Sequence, residues 1–213
     1  MTHTLPRTME EAARRLRDEA HAIPPDQDFE VRRFQPGDAW AVARCFYEVY
    51  GEHYPFDTYY VPDKLIQANR DGSMIGAVAA TPSGDVVAFG SLFRHFAPNP
   101  RLYETGQAPV IPDYRGTLAV LCIQEFLFTQ AAAGVEVAAI MGEPVCNHLT
   151  MQKISEIFGF RVTGVELGLM PGETYNKGDG SGGRITTLFT FTVLDRAPGE
   201  THLPAPYEAL LRN

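Results

Sequence analysis

The stretch Val110-Ile111-Pro112-Asp113-Tyr114-Arg115-Gly116, running on through Thr117, Leu118, Ala119 and Val120, decides how the rest of the chain is organised. Leu102 to Val110 before it alternates as a strand does. Residues 116–133 after it carry little polarity beyond Gln124, Glu125, Thr129 and Gln130, which predicts a helix buried against a sheet. Pro109 cannot donate a ladder hydrogen bond, so a bulge or an unpaired edge is expected just before the turn. A strand-to-helix junction of this kind aims several unpaired backbone N–H groups, and the positive end of the helix dipole, at one point. A diphosphate suits that point, because Gly116 lets the backbone approach a phosphate oxygen and Arg115 adds charge beside it. The plain alternative is a simple connection whose arginine meets a surface carboxylate. A nucleotide is disfavoured, since neither a Gly-Lys-Ser/Thr phosphate loop nor a Gly-x-Gly-x-x-Gly follows a strand.

Downstream, Val135 to Met141 returns as a strand, so strand, helix and strand form a right-handed crossover with parallel strands. His148 to Phe158 reads as a further helix, and Phe160 to Leu169 and Ile185 to Leu194 as two more strands. Between those strands, Pro171 to Gly183 holds five glycines and is expected to be mobile. Upstream, Met74 to Ala80 and Val86 to Phe96 form a hairpin closed by Thr81-Pro82-Ser83-Gly84-Asp85. Phe29, Val31 and Arg33 mark a short strand, and Pro36-Gly37-Asp38 opens a helix bearing Ala39, Val42, Ala43, Phe46, Val49 and Tyr50. One helix, or two, fits before the hairpin. Thr8 and Glu11 make a capping box for a first helix that Pro24-Pro25 ends. Residues 1–27 therefore read as a helical extension, 28–195 as one α/β body, and 196–213 as a tail ending in the helix-like Pro206 to Leu211.

A net charge of −8 from 18 basic and 26 acidic side chains, scattered along the chain, argues against nucleic acid as a partner. With no run of 18 apolar residues and no signal-peptide pattern, no membrane partner is expected, and a soluble cytoplasmic protein is. Cys45, Cys122 and Cys146 lie far apart without metal-ligand spacing, so neither disulfides nor a metal is expected. Cys45 and Cys122 fall on apolar helical positions and read as core, while Cys146 precedes a helix.

On the residues Val110, Pro112, Tyr114, Arg115 and Gly116, with Asp113 a typical occupant between them, the chain resembles the GNAT superfamily of acyl-CoA-dependent acyltransferases. Their diphosphate turn commonly reads Val-x-Pro-x-Tyr-Arg-Gly-x-Gly-x-Gly or Ala. Gly159-Phe160, closing a helix and starting a strand, and the order of elements from Phe29 to Leu194 extend the likeness over most of the chain. It implies an α/β (α+β) fold: a mixed, mostly antiparallel central sheet with one splayed parallel pair and helices on both faces. It also implies transfer of an acetyl or other acyl group from coenzyme A to an amine of a small molecule or protein, with acetyl-CoA or another acyl-CoA as co-substrate. Cofactor contacts are expected at Val110, Ile111, Arg115, Gly116, Thr117, Leu118, Ala119, Val120 and Asn147. Leu118 and Val120 depart from the small residues of the pattern and would crowd or shift a diphosphate. Ser155 stands where many members carry the tyrosine that protonates the departing thiolate. The segment Glu143 to His148, with Gln152-Lys153, also looks like a bacterial GNAT-like subgroup, some of whose members belong to longer regulatory chains. A catalytically weak module that binds an acyl-CoA is therefore the alternative function, and a homodimer is left open.

The same resemblance nominates Glu104, on the strand entering the turn, as the base that accepts a proton from the amine. A strand carboxylate facing water is its plain reading. Glu143 ends the neighbouring strand where ligands gather in open α/β sheets, and His148 follows at a helix start, so either could relay a proton. Glu143 could equally bond the helix N-terminus after it, and His148 could be a capping histidine. The aromatics Tyr47, Tyr50, Tyr54, Phe56, Tyr59 and Tyr60 line an acceptor pocket or staple a loop.

Overall fold

Seven strands form one sheet in the order β1-β2-β3-β4-β5-β7-β6 in a computed structural model that describes residues 5–19, 21–94, 98–133, 135–147, 149–172, 183–195 and 204–211. The strands are β1 (Glu30–Arg33), β2 (Met74–Ala80), β3 (Val86–Phe93), β4 (Leu102–Gly106), β5 (Ala139–Gly142), β6 (Arg161–Pro171) and β7 (Arg184–Val193). All neighbours run antiparallel except β4 and β5, the parallel pair that the crossover through residues 116–133 requires. The sheet is thus mixed and mostly antiparallel.

Helices cover both faces, and two consecutive residues of β3 show how. Phe89 packs edge-on against Phe46 of α2 (Ala39–Tyr50), with ring centroids 5.8 Å apart. A Cβ on its neighbour Gly90 would lie 2.5 Å from Ile123 of α4 (Ala119–Glu125). Successive strand residues point to opposite faces, so α2 and α4 sit on opposite sides. Gly90, lacking a side chain, lets α4 come down onto the strand. Beyond Glu125 the helix widens into a π-helical turn, Phe126–Ala131, whose Phe128 meets Phe158 and Phe160 at 5.1 and 5.2 Å. That contact brings α5 (Thr150–Ile157) to the α4 side.

On the α2 side, Phe46 stacks on Tyr59 with centroids 4.4 Å apart and gathers Tyr50, Tyr54 and Tyr60 around it. All four tyrosines are buried, so most of the aromatic segment is core, and Tyr60 donates to the Gly51 carbonyl at 2.7 Å. A further helix, α3 (Pro62–Arg70), follows the cluster, so two helices precede the hairpin. The first helix, α1 (Met9–Asp18), is capped by Thr8, whose hydroxyl accepts from the Glu11 N–H, and inserts Ala12 and Leu16 into the core. Glu19 then accepts from Trp40 of α2 at 3.1 Å. The tail residues 204–211 end in a short exposed helix, α6 (Glu208–Leu211).

Several boundaries differ from the sequence reading. β4 stops at Gly106 instead of Val110, and α4 starts at Ala119 instead of 116, because residues 107–118 carry a bulge and a turn. β5 begins at Ala139, not Val135. Most of the glycine-rich segment expected to be mobile lies outside the described residues.

Candidate active site

The strands β4 and β5 lie side by side only from the Leu102/Ala139 pair to the Thr105/Gly142 pair. Beyond it each chain turns to its outer neighbour. On the β4 side Gln107 adopts φ +48, a left-handed conformation that a non-glycine residue seldom takes, and the chain then rejoins β3. Phe89 N–H donates to Pro109 O at 3.1 Å and Ile111 N–H to Val87 O at 3.0 Å. Val110, between those bonds, stands opposite Ala88 as a non-hydrogen-bonded pair, so its own N–H and C=O face away from β3 into the gap. On the β5 side Leu188 N–H donates to Pro144 O at 3.0 Å and Cys146 N–H to Thr186 O at 2.8 Å. By the same rule Val145 turns its peptide groups to the gap, where its carbonyl accepts from Gln152 Nε2 at 2.9 Å. The result is a wedge between diverging strands at the C-terminal ends of the parallel pair.

The turn from Pro112 to Leu118 closes the β4 side of the wedge. A single helical turn, Pro112–Tyr114, is followed by Gly116 at φ +92, with open space where a Cβ would stand. Some of its amides are already engaged. Arg115 N–H donates to Pro112 O, Thr117 N–H to Tyr114 O, and Ala119 N–H to the Thr117 hydroxyl, which itself donates to Tyr114 O at 2.8 Å. The N–H groups of Gly116, Leu118 and Val120 make no such bond among the described residues. They alternate along the turn and are the donors the helix start leaves over. Arg115 is exposed, with Nε 3.4 Å from the Val110 carbonyl. The Leu118 side chain is 65% exposed, so it lies in solvent rather than packed into the turn, and Val120 is half-buried. Ile111 and Ala119 are buried and serve the core.

On the opposite side of the sheet from α4, a cavity of about 290 Å³ is lined by Leu102 and Glu104 from β4, Met141 and Glu143 from β5 and its extension, Glu166 and Leu169 from β6, and Phe189 from β7. Glu104 lies opposite Phe93 in β3, on the face that carries Phe89 and α2. Burial, and secondarily the neighbouring Glu143, pushes the Glu104 carboxyl up to about 8. On the α2 side of β3, Ser91 Oγ donates to Gln107 Oε1 at 2.6 Å. The bulge that opens the wedge is therefore held from beneath by a buried hydroxyl residue. Thr105, facing the other way, donates to Gln124 of α4 at 3.0 Å.

Glu104 and Glu143 thus meet in one cavity, while Val110 and the turn residues 115–120 sit on the wedge. Asn147 is exposed beyond Cys146 on the approach to α5, and His148 lies outside the described residues. Cys45 is buried, which raises its thiol pKa, and Cys122 is half-buried. Ser155 is half-buried on α5, with its carbonyl accepting from Phe160 N–H. Sequence reasoning did not find Glu166, Gln107 or Ser91. Glu166 does stand out as a carboxylate among apolar neighbours in β6, but its face becomes readable only with the bulged register against β7.

The architecture is that of the GNAT acetyltransferases. An acetyltransferase of the GNAT family from Streptococcus pneumoniae superposes with a TM-score of 0.65 at 11% identity, covering 78% of this chain and 100% of its own. The ribosomal-protein-S5-alanine acetyltransferase of Vibrio fischeri matches at TM-score 0.59 and 14% identity over 84% of this chain and 100% of its own. A candidate acetyltransferase from Salmonella typhimurium, solved with its cofactor acetyl-CoA, matches at TM-score 0.61 and 16% identity over 83% of this chain and 99% of its own. No protein-family model matches the chain, and no curated protein matches it by sequence.

Proposed function

We propose that the protein is an acyltransferase that moves an acetyl or similar acyl group from coenzyme A to an amine. The observation that carries this reading is a wedge whose turn presents peptide donors with no bond among the described residues, together with a cavity on the other face of the sheet whose Glu104 carboxyl is pushed by burial up to about 8. The free amides of Gly116, Leu118 and Val120, the open space beside Gly116 and the exposed Arg115 fit a diphosphate. The inward peptide groups of Val110 would bond the amide-bearing arm of the carrier. When bound, acyl-CoA supplies an activated acyl group.

The rest is the work of this chain's residues. Val110 and the turn orient the carrier so that the thioester meets the amine at the mouth of the cavity. Glu104, once ionised, takes a proton from the incoming ammonium, and the like charge of Glu143 beside it helps keep the carboxyl's proton affinity high. Three carboxylates among Leu102, Met141, Leu169 and Phe189 suit a cationic amine on an apolar stem, from a small molecule or a protein. Ser155, in the place of the tyrosine that often protonates the thiolate, favours a second reading, a module that binds an acyl-CoA without turnover.

The two readings separate in one pair of measurements. Acetyl-CoA should raise the melting temperature, and free thiol should appear faster with a panel of primary amines than without. Binding with no thiol release across the panel selects the non-catalytic module. No binding at millimolar acetyl-CoA removes both.

A further inference from the structure

Residues Pro24 to Gln27, linking α1 to β1, lie some ninety positions before the turn, yet they touch it. Asp26 holds φ +59, a left-handed value, as the third residue of a tight turn does. Pro25 and Asp26 are the two central residues of a tight turn from Pro24 to Gln27. The Tyr114 hydroxyl clasps both ends of that turn, donating to Pro24 O at 2.9 Å and accepting from Gln27 N–H at 3.2 Å. Gln27 Nε2 also reaches Pro24 O at 3.0 Å, and Phe29 packs edge-on against the Tyr114 ring.

Tyr114 is the hub of the phosphate-facing turn as well. It is 1% exposed, its N–H donates to Ile111 O, and its carbonyl accepts from both the N–H and the hydroxyl of Thr117. The backbone of one residue shapes the turn while its side chain is inserted into a second turn. The second turn is itself anchored: Ala12 and Leu16 of α1 are in the core, His21 meets Asp85 of the hairpin at 2.7 Å, and β1 enters the sheet three residues later.

We propose that Pro24–Gln27 is a brace for the phosphate-facing turn, acting through the Tyr114 hydroxyl, so that the N-terminal extension is a working part of the acyl-CoA site. Tyr114 and Asp26 are positioning residues. Holding the turn in its bound shape removes an ordering cost from ligand binding, and that benefit goes only to ligands that use the turn. The ligand half of the inference rests on the acyl-CoA reading above; the mechanical half does not.

The test uses the full chain and two variants. Tyr114→Phe keeps the ring and removes the hydroxyl, and Asp26→Pro forbids the positive φ while leaving Tyr114 intact. In each, hydrogen exchange at the engaged amides of Arg115 and Thr117 should quicken about fivefold in the free protein, the worth of one hydrogen bond. The dissociation constant for acetyl-CoA should rise by a similar factor, whereas that for S-acetylpantetheine, which lacks the diphosphate, should not move. The double variant should lose no more than either single one, because both remove the same contact. Unchanged exchange, equal losses for the two thioesters, or additive losses would each overturn the brace. If Asp26→Pro does not fold, Tyr114→Phe decides by exchange and by the thioester comparison. If the wild-type protein binds no acetyl-CoA, the function proposed above fails together with the ligand half, and the exchange rates still decide whether the brace exists.

Discussion

The turn on the wedge and the cavity on the other face of the sheet are built on opposite plans. The turn takes all its donors from one short segment, with Gly116 at φ +92 and amides at 116, 118 and 120 that make no bond among the described residues. The cavity takes one or two side chains from each of four strands, and its carboxylates Glu104, Glu143 and Glu166 are separated by tens of residues. A local structure recognises what many substrates share, whereas an assembled one can differ from protein to protein without disturbing the fold. On the proposed reading, the turn serves the common carrier and the cavity chooses the acceptor.

The largest expected effect tests whether the cavity is chemical rather than merely a pocket. Glu104→Gln keeps the shape and removes the base, so kcat should fall by about 100-fold or more, with the dissociation constant for acetyl-CoA unchanged. An unchanged kcat would move the chemistry away from Glu104. The same variant has a thermodynamic signature. The carboxyl titrates near 8 in the fold against an ordinary 4.5, so the folded state favours the neutral acid. The wild-type protein therefore loses stability as pH rises from about 4.5 through about 8. Glu104→Gln escapes that loss: it should equal the wild type near pH 4 and exceed it by about 5 kcal/mol near pH 9 in urea unfolding. Equal stability at both pH values would mean the carboxyl is not perturbed.

The next effect belongs to the turn and should have the opposite kinetic form. Gly116→Val places a Cβ where φ is +92, and although nothing crowds it, the backbone conformation is costly for any residue but glycine. Acetyl-CoA should bind about tenfold more weakly, with kcat at saturation nearly intact. A loss in kcat with unaltered affinity would break the division of labour between the turn and the cavity.

That division also explains what the sequence disclosed. The turn at Val110 to Gly116 was legible as a turn because its geometry is local: a proline that cannot pair and a glycine at a strand-to-helix junction mark a bulge and a positive φ wherever they fold. The parallel pair was legible because a strand, a long apolar helix and a strand have few ways to close. The cavity was not, since which of Glu104, Glu143 and Glu166 share a face depends on register. β6 is bulged against β7 twice, and one slip moves every side chain to the other face. The aromatic segment after Tyr47 was ambiguous for the same reason, and Phe46, a residue outside it, turned out to organise it. Which amides of the turn stay free was equally hidden, because Thr117 and Pro112 claim alternate ones.

The smallest expected effect is the sharpest probe of how the cavity sets its own chemistry. Two causes raise the Glu104 carboxyl, burial first and the nearby Glu143 second. As a base, Glu104 works only when ionised, so kcat/KM should climb with pH and level off above about 8. Glu143→Gln removes the like charge and leaves the burial, so the midpoint should move down, but by less than about one unit. Below the midpoint that shift makes the variant several-fold faster than the wild type, and above it the two should converge. A midpoint returning to the ordinary carboxylate range would show that Glu143 outweighs burial. A variant slower at every pH would instead make Glu143 a required carrier of the proton, placing both carboxylates in the reaction.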